Sequence, residues 1–320
     1  MRRKPLWIAV QAAFFTVAVA YFAVTIADYW TDLKDLPGKL HPDWWRIAES
    51  AAWVLLSYAV LIETWRQTVI AWGAYISRGT AARIWFISNL GRYLPGKVWQ
   101  IGAMGALAQE AGVSSVAAVG SSLLVNLVNV LAACLVVMLA GSRRLAGSGF
   151  AAGILVFLAA VVAAPWIVPR VVRLVQRLTG RQIAEPRIPP LAIVLALAGC
   201  ALAWNLYGIG FRVLATGLFG SAAGPTSTYT TVFTLSYLAG YLALFAPGGI
   251  GVREGALTSL LATTALATGA SGVLLVLVSR LWLTILEAAP GLLLLALPHS
   301  RTPDDSDQAN GAQAEEPRLG

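Results

Sequence analysis

Long apolar segments alternate with short polar ones along most of this chain. The apolar runs cover residues 6–27, 47–72, 114–140, 150–168, 191–214 and 271–297. A helix that crosses a bilayer needs about 20 apolar residues, so each of these runs predicts a membrane-spanning helix. Tryptophans such as Trp30, Trp44 and Trp45 flank the runs and suit the aromatic belt at a membrane surface.

Two further apolar segments are interrupted by helix-breaking residues and by charges. The first covers residues 82–111 and contains Pro95 and Gly96; in the second, residues 228–245 lead into a break at 246–255. Proline and glycine disfavour a continuous helix, so one helix should end at each break and another should begin after it. Broken backbone in lipid must face protein or water, which predicts a cavity beside the second break. An interfacial turn with hydrated charges is the alternative.

The order of these segments suggests an internal repeat. Residues 1–142 and 150–297 each contain two spans, a broken segment and a further span. We therefore predict an all-α, polytopic membrane protein with six full spans and two broken or re-entrant segments. Its single transmembrane domain covers residues 1–297, and its halves form an inverted repeat like those of alternating-access transporters. Eight full spans are the competing count.

Basic residues predict the orientation in the membrane. With two re-entrant segments, lysine and arginine are more numerous on the face that carries the amino terminus, so both termini should be cytoplasmic. Within residues 170–178, three arginines share one helical face, which favours a helix on an anionic lipid surface. A solvated basic linker explains them equally well. The polar, acidic residues 298–320 predict a disordered tail.

Composition excludes several classes of protein. Hydrophobic residues make up 58% of the 320 residues and charged residues 12%, with a mean hydropathy of +0.72, so the chain is not a soluble globule. The two cysteines and two histidines have no spacing that predicts a disulfide framework or a metal site. A nucleotide-binding loop is absent from the sequence, so direct ATP use is not expected. We expect neither a cofactor nor a nucleic-acid partner.

Charged residues within apolar segments are the candidates for chemistry, because charge inside a bilayer is costly and usually faces the interior of the bundle. Arg253 and Glu254 lie in the second break, and Arg280 and Glu287 lie two turns apart on one face of the last span. Two pairs of polar residues outside the breaks have simpler expected roles. Glu63 and Arg66 should form a local ion pair, and Asn126 and Asn129 should form interhelical hydrogen bonds or contact a substrate.

Both breaks resemble the signature regions of a known family. The stretch Asn-Leu-Gly-Arg-Tyr-Leu-Pro-Gly-Lys-Val-Trp at 89–99 and the stretch Pro-Gly-Gly-Ile-Gly-Val-Arg-Glu-Gly at 247–255 are similar to those of the lysylphosphatidylglycerol synthase transmembrane-region family. That family includes the flippase portion of the multiple peptide resistance factor. The resemblance implies an inner-membrane protein that translocates a lipid with a polar head group. No aminoacyltransferase domain follows Leu297, so we expect that enzymatic activity to be absent.

On this basis the motif positions receive roles as hypotheses. Arg92, Lys97 and Arg253 would hold a lipid phosphate, with amide donors from the helix starts after Pro95 and Gly251. Glu254 would orient Arg253 or accept a cationic head group, and Glu287 would pair with Arg253 or Arg280. The full set of predicted substrate-binding residues is Arg92, Tyr93, Pro95, Gly96, Lys97, Pro247, Gly248, Gly249, Gly251, Arg253, Glu254, Arg280 and Glu287.

The expected substrate is a membrane phospholipid or a polyprenyl-phosphate lipid. Two other functions stay open at this point. One is an integral membrane enzyme that acts on lipid head groups, although no nucleophile with a base lies beside the breaks. The other is a non-catalytic membrane partner of a glycosyltransferase or synthase. Assembly into a homo-oligomer is also open.

Overall fold

The computed structural model describes residues 42–91, 98–141, 189–243 and 249–296, together with positions 27 and 170. Within these ranges the chain is helical and contains no strand. The helices are α1 (Trp44–Ala71), α2 (Arg78–Leu90), α3 (Val98–Glu110), α4 (Ser115–Ala140), α5 (Pro190–Phe219), α6 (Thr226–Leu242), α7 (Val252–Thr263) and α8 (Gly269–Ala296). Four of them, α1, α4, α5 and α8, are long and apolar enough to cross a membrane. The helical class and four membrane-spanning candidates are therefore confirmed.

The long helices follow the predicted spans closely, with local differences at their ends. Helix α1 begins at Trp44 rather than Ile47 because the Asp43 side chain accepts hydrogen bonds from the next amides, including that of Trp45 at 3.0 Å. Helix α5 continues to Phe219 and ends at a left-handed Gly220. The predicted spans at 6–27 and 150–168, the basic linker and the acidic tail lie outside the described residues, apart from positions 27 and 170.

Both predicted breaks separate a pair of shorter helices. Helices α2 and α3 flank residues 92–97, and helices α6 and α7 flank residues 244–248. Seven predicted site residues fall in these two gaps and lie outside the described residues: Arg92, Tyr93, Pro95, Gly96, Lys97, Pro247 and Gly248. Helix α7 begins at Val252, four residues earlier than the predicted Ala256, because the Glu254 carboxylate caps its first turn.

Helices α1 and α5 form the most extensive helix pair of the described bundle. Small residues of α5 face α1, and a Cβ atom at Gly199 would clash with Thr64 Oγ1. Further along, Ser50 Oγ donates a 2.8 Å hydrogen bond to the carbonyl of Gly210. Positions in contact rise along α1 as they fall along α5, so the two helices are antiparallel.

The remaining helices surround this pair in a regular pattern. Helix α4 packs on α1, α5 and α6, while α8 packs on α5, α1 and α2. The short helices pack as α2 on α3 and α6 on α7, and each pair adjoins the long helix that follows it. We can exchange α1 with α5, α2 with α6, α3 with α7 and α4 with α8. The α1–α5 pair then maps onto itself, and every other principal helix pair maps onto a second pair that is also in contact.

The two turns that enter α4 and α8 also share their geometry. Gly112 has φ of 74° in the first turn and Ala265 has φ of 55° at the matching place in the second, where Gly269 at the start of α8 is also positive at 56°. Three hydrogen bonds recur at matching positions. In the first turn the amides of residues 111, 112 and 113 donate to the carbonyls of 107, 109 and 108, and in the second those of 264, 265 and 266 donate to 260, 262 and 261. The two turns thus share one pattern of backbone hydrogen bonds.

Candidate functional site

A cavity of about 260 Å³ lies in the centre of the described bundle. Each of the eight helices contributes at least one residue to its wall. Aromatic side chains line much of it, among them Tyr58, Trp65, Trp85, Trp204, Tyr207 and Tyr237. Polar groups converge on the same space from α2, α4, α7 and α8. A mostly apolar cavity with a few placed polar groups has the general form of a ligand site.

Arg253 is the most unusual polar residue of this wall. It is the second residue of α7, its exposed fraction is 7%, and its guanidinium carbon lies 5.3 Å from the ring centroid of Phe233 and 4.5 Å from that of Tyr237. A cation–π contact of this kind stabilises a desolvated cation by about 2 kcal/mol or more. Its Nη2 atom is buried and has no hydrogen-bond partner among the described residues. Arg253 therefore presents an uncompensated donor at the cavity wall.

Close backbone packing brings Arg253 to this position. Gly240 of α6 faces the start of α7, and a Cβ atom on Gly240 would lie 2.7 Å from the Cβ atom of Arg253. Gly249 has φ of 70°, and its own added Cβ would lie 2.8 Å from the Gly240 carbonyl oxygen. Because neither residue has a side chain, the chain after the second break lies directly against α6. The guanidinium then lies over the two rings of that helix.

Glu254 points in another direction from its neighbour. One carboxylate oxygen, Oε2, accepts a 2.7 Å hydrogen bond from the amide of Gly251, and the other, Oε1, lies 3.3 Å from Nη1 of Arg280. The residue is 4% exposed and belongs to the layer behind the cavity wall. The sequence had suggested that Glu254 orients Arg253. Within the described residues its carboxylate pairs with Arg280 instead. The Gly251 amide at the start of α7 is thus already occupied by this carboxylate.

The two charged residues of α8 both reach the cavity. Arg280 and Glu287 line its wall, and Glu287 is buried. Their spacing of two helical turns had predicted a shared inward face, and the wall contains both. Charged residues of α7 and α8 therefore line the same cavity.

Neutral polar residues complete the wall on the α4 side. Asn126 Oδ1 accepts a 3.2 Å hydrogen bond from the Tyr241 hydroxyl, and Asn126 Nδ2 donates to the carbonyl of Ser122 at 2.8 Å. Asn129 accepts a 3.1 Å hydrogen bond from Trp204 Nε1 through its backbone oxygen. The interhelical role predicted for Asn126 is thus confirmed, and both asparagines also line the cavity.

The predicted pair of Glu63 and Arg66 lies away from the cavity. Arg66 Nε is 3.0 Å from Glu63 Oε2, and Arg78 at the start of α2 joins them at 3.3 Å. Arg66 also donates to the carbonyl of Ile76 in the connecting turn, at 3.2 Å. This cluster ties the end of α1 to the start of α2, so its role is structural.

Sequence reasoning missed the residues of α6 that support Arg253. Phe233, Tyr237 and Gly240 are spaced i, i+4 and i+7, which puts them on one face of a helix. That spacing, next to a break that carries an arginine, was the available signal. The aromatic residues of α1, α2 and α5 had no comparable signal, because rings in apolar helices most often pack in a core.

No family model, curated protein or solved structure matches this chain. The family resemblance of the two broken segments therefore stays a prediction. The function has to be argued from the cavity and from the fold around it.

Proposed function

We propose that this chain is an integral membrane protein that binds the anionic head group of a lipid in the central cavity and moves it across the bilayer. The observation that carries the proposal is the guanidinium of Arg253, buried at the cavity wall with Nη2 unpartnered among the described residues. A buried charge without a hydrogen-bonded counter-charge costs several kcal/mol. A phosphate would supply both the negative charge and the acceptors that this group lacks.

The depth of the cavity supports a membrane-embedded site. Trp44 and Trp45 are exposed at the start of α1, and Tyr75 is exposed just after its end. Such residues are enriched at the two surfaces of a membrane. Tyr58, which lines the cavity, lies at the middle of this 28-residue helix. In a bilayer that α1 crosses, the cavity would lie near the midplane, where transporters of this general design bind their substrates.

The size of the cavity limits what enters it. Pockets for drug-sized ligands usually measure about 300–1,000 Å³, and this one measures about 260 Å³. A phosphate with a small head group suits that space, whereas the acyl or prenyl chains would stay in the surrounding lipid. A phospholipid and a polyprenyl-phosphate lipid share the phosphate chemistry, and both are candidates.

The helix packing supports an inverted repeat of two halves. The exchange of α1–α4 with α5–α8 reproduces the principal contacts, and the equivalent helices α1 and α5 are antiparallel. Equivalent antiparallel helices are related by a two-fold axis perpendicular to them. If α1 crosses the membrane, that axis lies in the membrane plane, which is the symmetry of alternating-access transporters. On this interpretation six full spans surround two broken segments, and the protein occupies the cell membrane with both termini in the cytoplasm.

Similarity of the two breaks to the lysylphosphatidylglycerol synthase transmembrane-region family agrees with this proposal. Its implied activity is lipid translocation, and two residues of the second motif, Gly249 and Arg253, line the cavity. The proposal stands on the cavity, and the family resemblance adds the class of substrate.

A reconstituted transport assay tests the proposal. The full chain is placed in liposomes with fluorescent phosphatidylglycerol, its aminoacylated form or a polyprenyl phosphate, and the outer-leaflet label is bleached chemically. Wild type is compared with Arg253→Ala and with Arg212→Ala. Arg212 is a matched control because it is a partly buried arginine outside the cavity, bonded to Thr226 Oγ1 at 3.1 Å.

We expect wild type and Arg212→Ala to accelerate movement of at least one lipid, and Arg253→Ala to abolish it. A well-folded Arg253→Ala protein that transports at the wild-type rate would refute the proposal. Movement of none of the lipids by the wild type would also contradict it and would favour a non-catalytic partner. A chemically altered lipid in the liposomes would favour an enzyme.

A further inference from the structure

We propose that Glu254 is a positioning residue that sets two cavity arginines, Arg253 and Arg280, as a clamp for one phosphate group. This inference rests on the proposed function and adds how the phosphate is held. It assigns Glu254 a role behind the site, in place of direct contact with a head group.

The two oxygens of the Glu254 carboxylate have separate tasks. Oε2 accepts from the Gly251 amide at 2.7 Å and fixes the first turn of α7, which carries Arg253 as its second residue. Oε1 lies 3.3 Å from Arg280 Nη1 and fixes a side chain of α8. One buried carboxylate therefore orients a cation on each of two helices.

Local backbone geometry makes the first of these contacts possible. Gly251 has φ of 87°, a conformation that favours glycine, and its amide turns back toward the side chain three residues later. This arrangement resembles half of a capping box, in which an acidic residue satisfies a free amide at a helix start. Because the cap is intramolecular, the start of α7 is already neutralised before a ligand enters.

The two arginines face the same space. Arg253 and Arg280 both line the cavity, whereas Glu254 lies behind them and is 4% exposed. Guanidinium groups bind phosphate oxygens through pairs of parallel N–H donors. A tetrahedral phosphate has enough oxygens to accept from both groups at once. Groups behind a binding site commonly hold the contacting side chains in a productive orientation, which is the role assigned here to Glu254.

This arrangement also explains why Glu254 does not neutralise Arg253. Its carboxylate is engaged by Gly251 and Arg280, so the neighbouring guanidinium keeps an unpartnered Nη2 atom within the described structure. The clamp recognises the phosphate itself, which a phospholipid and a prenyl phosphate share. The remainder of the head group would be selected by other parts of the wall.

A double-mutant cycle on the full chain in detergent tests the inference. Glu254→Gln keeps an oxygen that accepts from Gly251 but turns an amide donor toward Arg280, so it removes only the second contact. The probes are a short-chain phosphatidylglycerol and farnesyl phosphate, with binding measured by calorimetry. Melting temperature is recorded for every variant, and Arg212→Ala is again the matched control.

We expect Glu254→Gln to weaken binding of at least one probe roughly 10- to 100-fold, the range of a charge-assisted hydrogen bond. In the Arg280→Ala background, Glu254→Gln should weaken probe binding less than about threefold, because the guanidinium that Glu254 contacts is absent. Tight binding is expected only in the protein that has both native residues, Glu254 and Arg280. A purely structural Glu254 would instead lower the melting temperature and the affinity equally in both backgrounds.

Three results would overturn the inference. These are an equal loss of affinity in both backgrounds, an unchanged affinity, and tighter binding by Glu254→Gln. If wild type binds a probe and Arg253→Ala does not, the proposed site survives even when the cycle fails. If wild type binds neither probe, the proposed function fails together with the clamp.

Discussion

The contact between Gly240 and Arg253 gives a sharp test of how the site is built. A Cβ atom at Gly240 would lie 2.7 Å from the Cβ atom of Arg253 and 3.4 Å from its Cα atom. Carbon atoms pack best about 3.5–4.0 Å apart, so Gly240→Ala has to push the start of α7 away by about 1 Å. Overpacking of this kind usually costs about 1–3 kcal/mol. The displacement would also move the guanidinium from the rings of Phe233 and Tyr237.

Gly102→Ala is the matched control for this change. Gly102 lies within α3, and a Cβ atom there has no neighbour within 4 Å. Alanine is the better helix former by about 1 kcal/mol, so this variant should be at least as stable as wild type. Thermal unfolding in detergent and binding of short-chain phosphatidylglycerol are measured for both variants.

We expect Gly240→Ala to melt at a lower temperature and to lose affinity more than tenfold, and Gly102→Ala to change neither. The reasoning is wrong if Gly240→Ala retains both wild-type stability and wild-type affinity. It is also wrong if the two variants lose stability equally, because only one of them creates a clash.

Three further results follow from the contacts. Arg253→Lys should bind the phosphate probe roughly tenfold more weakly in calorimetry, since lysine keeps the charge but loses the planar fork over the rings; unchanged affinity would contradict this. Gly208→Ala should lower the unfolding free energy by about 1–3 kcal/mol, because its Cβ would lie 2.5 Å from Thr230 Cα; a wild-type melting curve would count against the packing. Arg46→Cys with Gly217→Cys, in a background without native cysteines, should form a disulfide detectable by gel shift. A Cβ at Gly217 would lie 3.1 Å from that of Arg46, and a shift of about 0.4 Å brings the pair into the range of about 3.5–4.5 Å that a disulfide needs; absence of the cross-link would contradict the antiparallel α1–α5 pair.

Much of the helical layout was predictable from the sequence. Apolar runs gave α4 and α8 to within two residues, because length and composition are strong signals in a membrane protein. The ends that differed depend on side-chain capping. Asp43 extends α1 toward its amino terminus and Glu254 extends α7 in the same direction, and neither bond is visible in hydropathy. Helix α5 continues five residues past the predicted end at 214 and stops at Phe219, before a left-handed Gly220.

The charged residues of the site could be predicted from the sequence, but their ion pairs could not. A costly arginine beside a helix break marked Arg253, and spacing put Arg280 and Glu287 on one face. The ion-pair partner of Glu254 depends on tertiary packing. Arg253 and Arg280 were both available, and the packing of α7 against α8 selects Arg280. The rings under Arg253 depend on Gly240, which lets two helices approach closely. The spacing of Phe233, Tyr237 and Gly240 indicated one shared helical face, but the sequence does not show that this face contacts Arg253.

The most direct test of the central claim is native mass spectrometry of the purified full chain with its bound lipid. Wild type and Arg212→Ala are predicted to retain one anionic lipid with a phosphate head group under activation that strips bulk detergent and lipid. Arg253→Ala is predicted to lose that lipid while it elutes as a folded protein. Equal retention of the lipid by Arg253→Ala would contradict a phosphate site at this arginine.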